Sequence, residues 1–150
     1  MQSKLVMTRH KGSISQINVE RDRMAAVLYR EAKRIASWPT STMRLCEIAA
    51  NMPTKEFYIS EEFAVRYVRK RIYAGVAQSF TNKFKQKLYE ALFDRVVELR
   101  KREKYREASL PAVVQAAIMT PAPCLGLTPR NIYMILPKRV YPLRKKKRHL

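Results

Sequence analysis

The chain has 150 residues, and 31 Lys and Arg against 12 Asp and Glu leave a formal net charge of +19. At 47% hydrophobic it is too apolar for a disordered basic tail and long enough for one globular core or two small lobes. Three glycines are too few for a Gly-rich phosphate cradle or a turn-dense all-β fold, and no run approaches the ~18 apolar residues of a membrane span.

The expected fold is mainly α: a compact helical domain with a basic arm over residues 1–15, a body over 16–137 and a basic tail over 138–150. Met24, Val27, Leu28 and Ile35 recur at helical spacing within Val19–Ala36, with Glu20 and Asp22 near the start and Trp38-Pro39 as the stop. A short helix over Met43–Asn51 turns Leu45, Ile48, Ala49 and Met52 to one face before Pro53 ends it. Phe57-Tyr58-Ile59 has strand-like composition. Ser60 is a good N-cap, with Glu61 and Glu62 in the following turn complementing the helix dipole. Phe63, Ala64, Tyr67, Val68 and Ile72 give that helix an apolar stripe.

Gly75 and the polar run Gln78–Asn82 mark a break. A long helix is expected from about Asn82 to Glu107, with Phe84, Leu88, Leu92, Val96 and Leu99 inward. Ser109 and Pro111 open a short helix through Val113, Val114, Ala117 and Ile118, ended by Pro121 and Pro123. Leu125-Gly126-Leu127 reads as a short extended piece. Thr128 then caps a last helix with Pro129 at its first position and Ile132, Ile135 and Leu136 on its apolar face.

Ser41–Val68 aligns with Ser109–Leu136 without a gap, at an offset of 68 residues. Ser41/Ser109, Ala49/Ala117 and Pro53/Pro121 are identical; Leu45/Val113, Phe57/Leu125, Ile59/Leu127, Ser60/Thr128 and Val68/Leu136 keep their character. One reading is a pair of repeated helix-helix-turn-helix units, 16–80 and 81–137, joined by a very short two-stranded ribbon of Phe57–Ile59 with Leu125–Leu127. The other is two unrelated helix pairs in an irregular bundle. Both stay open at this point.

The block Pro53-Thr54-Lys55-Glu56-Phe57-Tyr58-Ile59-Ser60, followed by a helix, resembles a P-x-x-x-F-Y-[IVL]-[ST] pattern of small basic proteins from Bacteroides-type bacteria and their crAss-like phages. Pro121–Thr128 is a weaker copy without the aromatic pair. The resemblance implies a bacterial or phage setting and brings no activity with it.

All acidic residues lie between Glu20 and Glu107, so both ends of the chain are purely basic. The body is basic as well, and such a charge repels itself unless a polyanion neutralises it; nucleic acid, DNA or RNA, is the commonest in cells. Arg66, Arg69, Lys70 and Arg71 cluster on the helix after Ser60, and Lys83, Lys85 and Lys87 open the long helix. Lys138, Arg139, Arg144, Lys145, Lys146, Lys147 and Arg148 could track a phosphate backbone, with Tyr141 stacking on a base or anchoring the tail. The helix after Ser60 has the outline of a recognition helix, although Pro53–Ile59 is longer than a helix-turn-helix turn. A solvated basic face and generic phosphate contact are the alternatives.

Catalysis finds little support. His10 and His149 sit near the ends in basic surroundings, and Cys46 and Cys124 lie in apolar contexts that read as buried thiols. No metal-ligand spacing exists, and no cofactor or small-molecule substrate is suggested. Met1–Thr8 has no apolar signal region, so a cytoplasmic protein is expected, or a virion component if phage-encoded. The leading expectation is a non-enzymatic nucleic-acid-binding protein of low sequence specificity. The second is a homo-oligomeric virion or assembly protein whose basic surface contacts packaged DNA or an acidic protein.

Overall fold

The computed structural model describes residues 14–140 apart from Trp38, Val76 and Ala77, with side chains for residues 16–136. Six α-helices form among them: α1 (Ile14–Ile35), α2 (Thr42–Ala50), α3 (Glu61–Ala74), α4 (Lys83–Arg100), α5 (Leu110–Ile118) and α6 (Pro129–Val140). A 3-10 turn, Glu103–Tyr105, sits between α4 and α5. No helix is long and apolar enough to cross a membrane among the described residues.

Side-chain caps place most of the helix starts. Ser41, Ser60 and Ser109 accept from the backbone N–H three residues on, at Arg44, Phe63 and Ala112. Thr128 Oγ1 accepts from Asn131 N while Asn131 Oδ1 accepts from Thr128 N, a reciprocal capping box. Asn82 Oδ1 accepts from Phe84 N and Lys85 N, and its amide donates to Gly126 O, 3.0 Å away. Each such cap is worth about 1 kcal/mol of helix stability.

The packing does not follow chain order. α1, α2 and α6 surround one apolar cluster, and α3, α4 and α5 surround another. Thus the third helix of each half of the chain crosses over to the other half's pair. The crossing is pinned where Thr54 and Ala122 form an isolated antiparallel bridge. After it the two segments diverge, Phe57 into the α3–α4–α5 cluster and Leu125 into the α1–α2–α6 cluster, each 1% exposed. This corrects the expected ribbon. Phe57–Ile59 and Leu125–Leu127 form no strand, because their side chains are drawn into separate cores; Phe57 N–H donates instead to Ile118 O at 2.8 Å. Phe84 packs against both clusters and closes the seam.

Other expectations shift for local reasons. α1 buries Ala25, Leu28, Tyr29 and Ala32, while Val27 and Ile35 are exposed. The alanines at i and i+7 admit α2 and α6 closely, which leaves Val27 and Ile35 outside the buried face. α3 buries Ala64, Tyr67 and Val68 but leaves Phe63 and Ile72 largely exposed. α4 stops at Arg100 instead of running to Glu107, since no inward apolar residue follows Leu99 at helical spacing. The Arg100 guanidinium then ties the turn down, donating to Tyr105 O and Ala108 O at 3.0 and 2.6 Å. α6 passes Pro137 and continues to Val140, so Lys138 and Arg139 belong to a helix.

Candidate nucleic-acid interface

Burying Ala64, Tyr67 and Val68 determines what α3 shows to solvent. At about 100° per residue, Arg66, Arg69, Lys70 and Tyr73 fall within one arc of about 100° on the opposite face. All four are exposed, Tyr73 at 77%. Arg66 pairs with Glu62 at 3.2 Å, both side chains more than 60% exposed, an interaction worth about 0–1 kcal/mol and easily exchanged for a phosphate. Among the described residues Arg69 and Lys70 enter no ion pair. The stripe borders an open groove of about 840 Å³ closed on its far side by Pro111, with Glu61 and Glu62 at one end.

Arg71 is not part of this surface. It lies about 140° round the helix from Arg66. Its guanidinium sits 4.1 Å from the Phe93 ring centroid, and Nη1 donates to Tyr67 Oη at 3.1 Å. That arrangement clamps α3 to α4. Similarly, Lys83 and Lys87 share a face of α4 turned about 160° from Lys85. The basic groups taken together from sequence are therefore split in two on both helices.

Lys85 joins the α3 side. A smaller groove of about 220 Å³ runs between Arg66 and Lys85, lined by Phe63, Tyr67, Gln78, Phe80 and Tyr89. The Lys85 ammonium is 5.1 Å from the Phe80 ring centroid and 6.0 Å from that of Tyr89. Tyr67 and Tyr89 meet edge-on at 5.0 Å, and Phe80 tilts against Tyr89 at 4.8 Å. Burial, with the Tyr67 ring beside it, pushes the Tyr89 phenol up to about 12, so it is neutral at any ordinary pH. Cations flanking aromatic rings are the groups that hold a phosphate backbone and stacked bases.

Lys85 also borders a cavity of about 300 Å³ between α1, α4 and the 125–127 loop. Its polar lining is largely engaged within the fold. Arg21 pairs with Asp22 at 3.0 Å, and Asn82 and Asn131 serve as helix caps.

The thiols belong to the cores. Cys46 and Cys124 are buried and unbridged, and burial pushes both above the usual thiol range. Cys124 Sγ–H donates to Phe84 O at 3.4 Å. Among the described residues no group of three His, Cys, Asp or Glu side chains could hold a metal ion. Lys138 and Arg139 stand on α6; Tyr141, Arg144, Lys145, Lys146, Lys147 and Arg148 lie outside the described residues, as do His10 and His149.

Tyr73 is the residue that the sequence reading missed. Its signal was spacing: Arg66, Arg69, Lys70 and Tyr73 stand at i, i+3, i+4 and i+7, the pattern of one helix face. No family model matches the chain, and neither a curated protein nor a solved structure is similar to it.

Proposed function

We propose that the protein is a non-enzymatic nucleic-acid-binding protein that holds the phosphate backbone with little sequence specificity. The observation that carries the reading is the exposed α3 stripe of Arg66, Arg69, Lys70 and Tyr73, with Lys85 across the aromatic groove. Its cations stand on a packed helix, so little ordering entropy opposes their meeting a phosphate chain. α3 does not act as the recognition helix of a helix-turn-helix, because α2 and α3 pack in different clusters. Two related halves, each contributing one crossed-over helix, best account for the repeated caps and for a bridge between residues 68 apart.

The test is fluorescence anisotropy of the full chain with labelled duplex DNA, single-stranded DNA and RNA across a salt series. Binding whose logarithm falls linearly with log salt is expected, with a slope of about −0.7 to −0.9 per phosphate contact. Arg69→Glu with Lys70→Glu should weaken it and flatten that slope. Absence of binding to all three would overturn the reading.

A second reading is a self-assembling structural protein of a phage particle. It draws on Tyr133 and Met134, adjacent on α6 and 46% and 59% exposed in the single chain. Light scattering at high salt separates the two: a monomer or dimer for the first, a large assembly for the second.

A further inference from the structure

The hollow of about 300 Å³ between α1, α4 and the 125–127 loop is far larger than the water-sized voids of a packed interior. It lies where the two crossing segments part, so both segments wall it, together with residues of α1, α3, α4 and α6. Asn82 fixes one wall by donating to Gly126 O at 3.0 Å, so the space is formed before anything enters it.

The lining sorts by chemistry. Among the described residues its only charged members are Arg21 and Lys85, both cations. Asp22 takes Arg21 Nε and Nη2 on a single carboxylate oxygen, at 3.2 and 3.0 Å, and Nη1 bonds to no described residue. Glu20 and Glu56, whose charges reach the Tyr58 phenol, stand outside the lining, so the anionic end of a ligand belongs at Arg21 and Lys85. Phe63 is 40% exposed and lines both this hollow and the smaller groove beside it, with the Arg66 guanidinium 5.4 Å from its ring centroid. A lone exposed Phe is ordinary, but one set between two hollows with cations around it offers a face on which a base can stack. Tyr89 also borders both hollows and is 7% exposed, yet its hydroxyl bonds to no described residue. No buried side-chain N or O among the described residues lacks a partner, so that hydroxyl is within reach of solvent and free to donate to a ligand.

We propose, resting on the nucleic-acid reading above, that this hollow takes one unstacked base of a single strand. The base enters against Phe63 and meets the Tyr89 hydroxyl, and its flanking phosphates lie at Arg21 and Lys85. Phe63, Lys85 and Tyr89 are shared with the groove beside Arg66, so the strand passes from the α3 stripe along that groove and into the hollow. A duplex must first unpair a base to do the same, so the protein favours single strands.

The experiment titrates the full-length protein by anisotropy with a labelled single strand of about ten nucleotides and with the duplex of the same length. The single strand is also prepared with 5-iodouracil, which on irradiation joins to an aromatic ring in contact with it, and adducts are located by peptide mapping. Thymidine monophosphate is the competitor that separates a free nucleotide from one within a strand. The single strand should bind about tenfold tighter than the duplex, the worth of one base stack, with an adduct at Phe63 or Tyr89 and no displacement by the mononucleotide. Asn18→Trp, which fills the hollow from its exposed α1 side, should remove that advantage and the adduct while leaving duplex binding unchanged. Phe63→Ala should also weaken single-strand binding about tenfold, with the salt slope unaltered, so the outcome does not hang on one variant. Equal affinity for single strand and duplex, or binding without an adduct at either ring, overturns the base-pocket proposal and leaves the nucleic-acid reading standing. Displacement of the strand by an equal concentration of mononucleotide overturns it too, in favour of a free-nucleotide site. Absence of any binding overturns both.

Discussion

Thr54 and Ala122 exchange both of their backbone hydrogen bonds, each 3.0 Å long, across 68 residues of chain. Both residues are buried, and Thr54 Oγ1 also donates to Glu56 O at 2.8 Å, which sets the turn leading away. This contact ties together the two crossing segments. Ala122→Pro removes one donor and strands the Thr54 carbonyl, a loss of about 1–3 kcal/mol. Urea unfolding should show a lower midpoint for Ala122→Pro than for the Ala122→Gly control, which loses the buried methyl but keeps the N–H donor.

Gly126 and Gly75 both have positive φ, +84° and +68°, yet they differ in surroundings. A Cβ at Gly126 would lie 2.8 Å from Leu88 Cδ2, whereas one at Gly75 would meet nothing within 4 Å. Gly75→Ala should therefore cost about 1 kcal/mol from backbone strain alone. Gly126→Ala should cost more, since Leu88 is buried and must shift. Thermal unfolding of the two variants measures the difference.

Tyr73 is so exposed that Tyr73→Ala should leave the unfolding midpoint unchanged. If its ring stacks on a base, affinity for single strands falls by about 1–3 kcal/mol while the salt slope stays put, because no charge is lost. Lys70→Ala should do the reverse, lowering the slope by about one contact. Anisotropy titrations at two or more salt concentrations distinguish these effects.

The Tyr89 phenol, raised to about 12 by burial, makes stability depend on pH at the alkaline end. An acid whose proton is held more tightly in the folded state contributes stability in full below its unfolded value near 10. That contribution is lost as pH rises through about 10 to 12, and it amounts to about 2–3 kcal/mol. Tyr89→Phe should flatten the decline between those values and keep the ring contacts with Tyr67 and Phe80. Denaturant midpoints measured across this window are the check.

Both thiols should resist alkylation in the folded protein, since each is buried and pushed upward by that burial. Maleimide labelling should proceed at the unfolding rate in native buffer and at once in denaturant. Fast native labelling would mean that one of the two clusters opens locally.

Local chemistry was legible in the residues themselves. Ser60 and Thr128 cap helices, Pro53 and Pro121 follow short ones, and Leu88, Leu92, Val96 and Leu99 line one face of α4, because caps, prolines and helical period act over a few residues. The charge excess, too, is a property of composition alone. Tertiary packing decided the remainder. Which face of α1 turns inward depended on α2 and α6 fitting against Ala25 and Ala32, and no local rule ranks small residues above Val27 for that purpose. The crossing of α3 and α6 arises from a bridge between Thr54 and Ala122, distant in sequence and unremarkable in composition. That same packing separated Arg71 from Arg66, Arg69 and Lys70: four basic residues within six positions become one clamp and one exposed stripe once Phe93 covers one side of the helix.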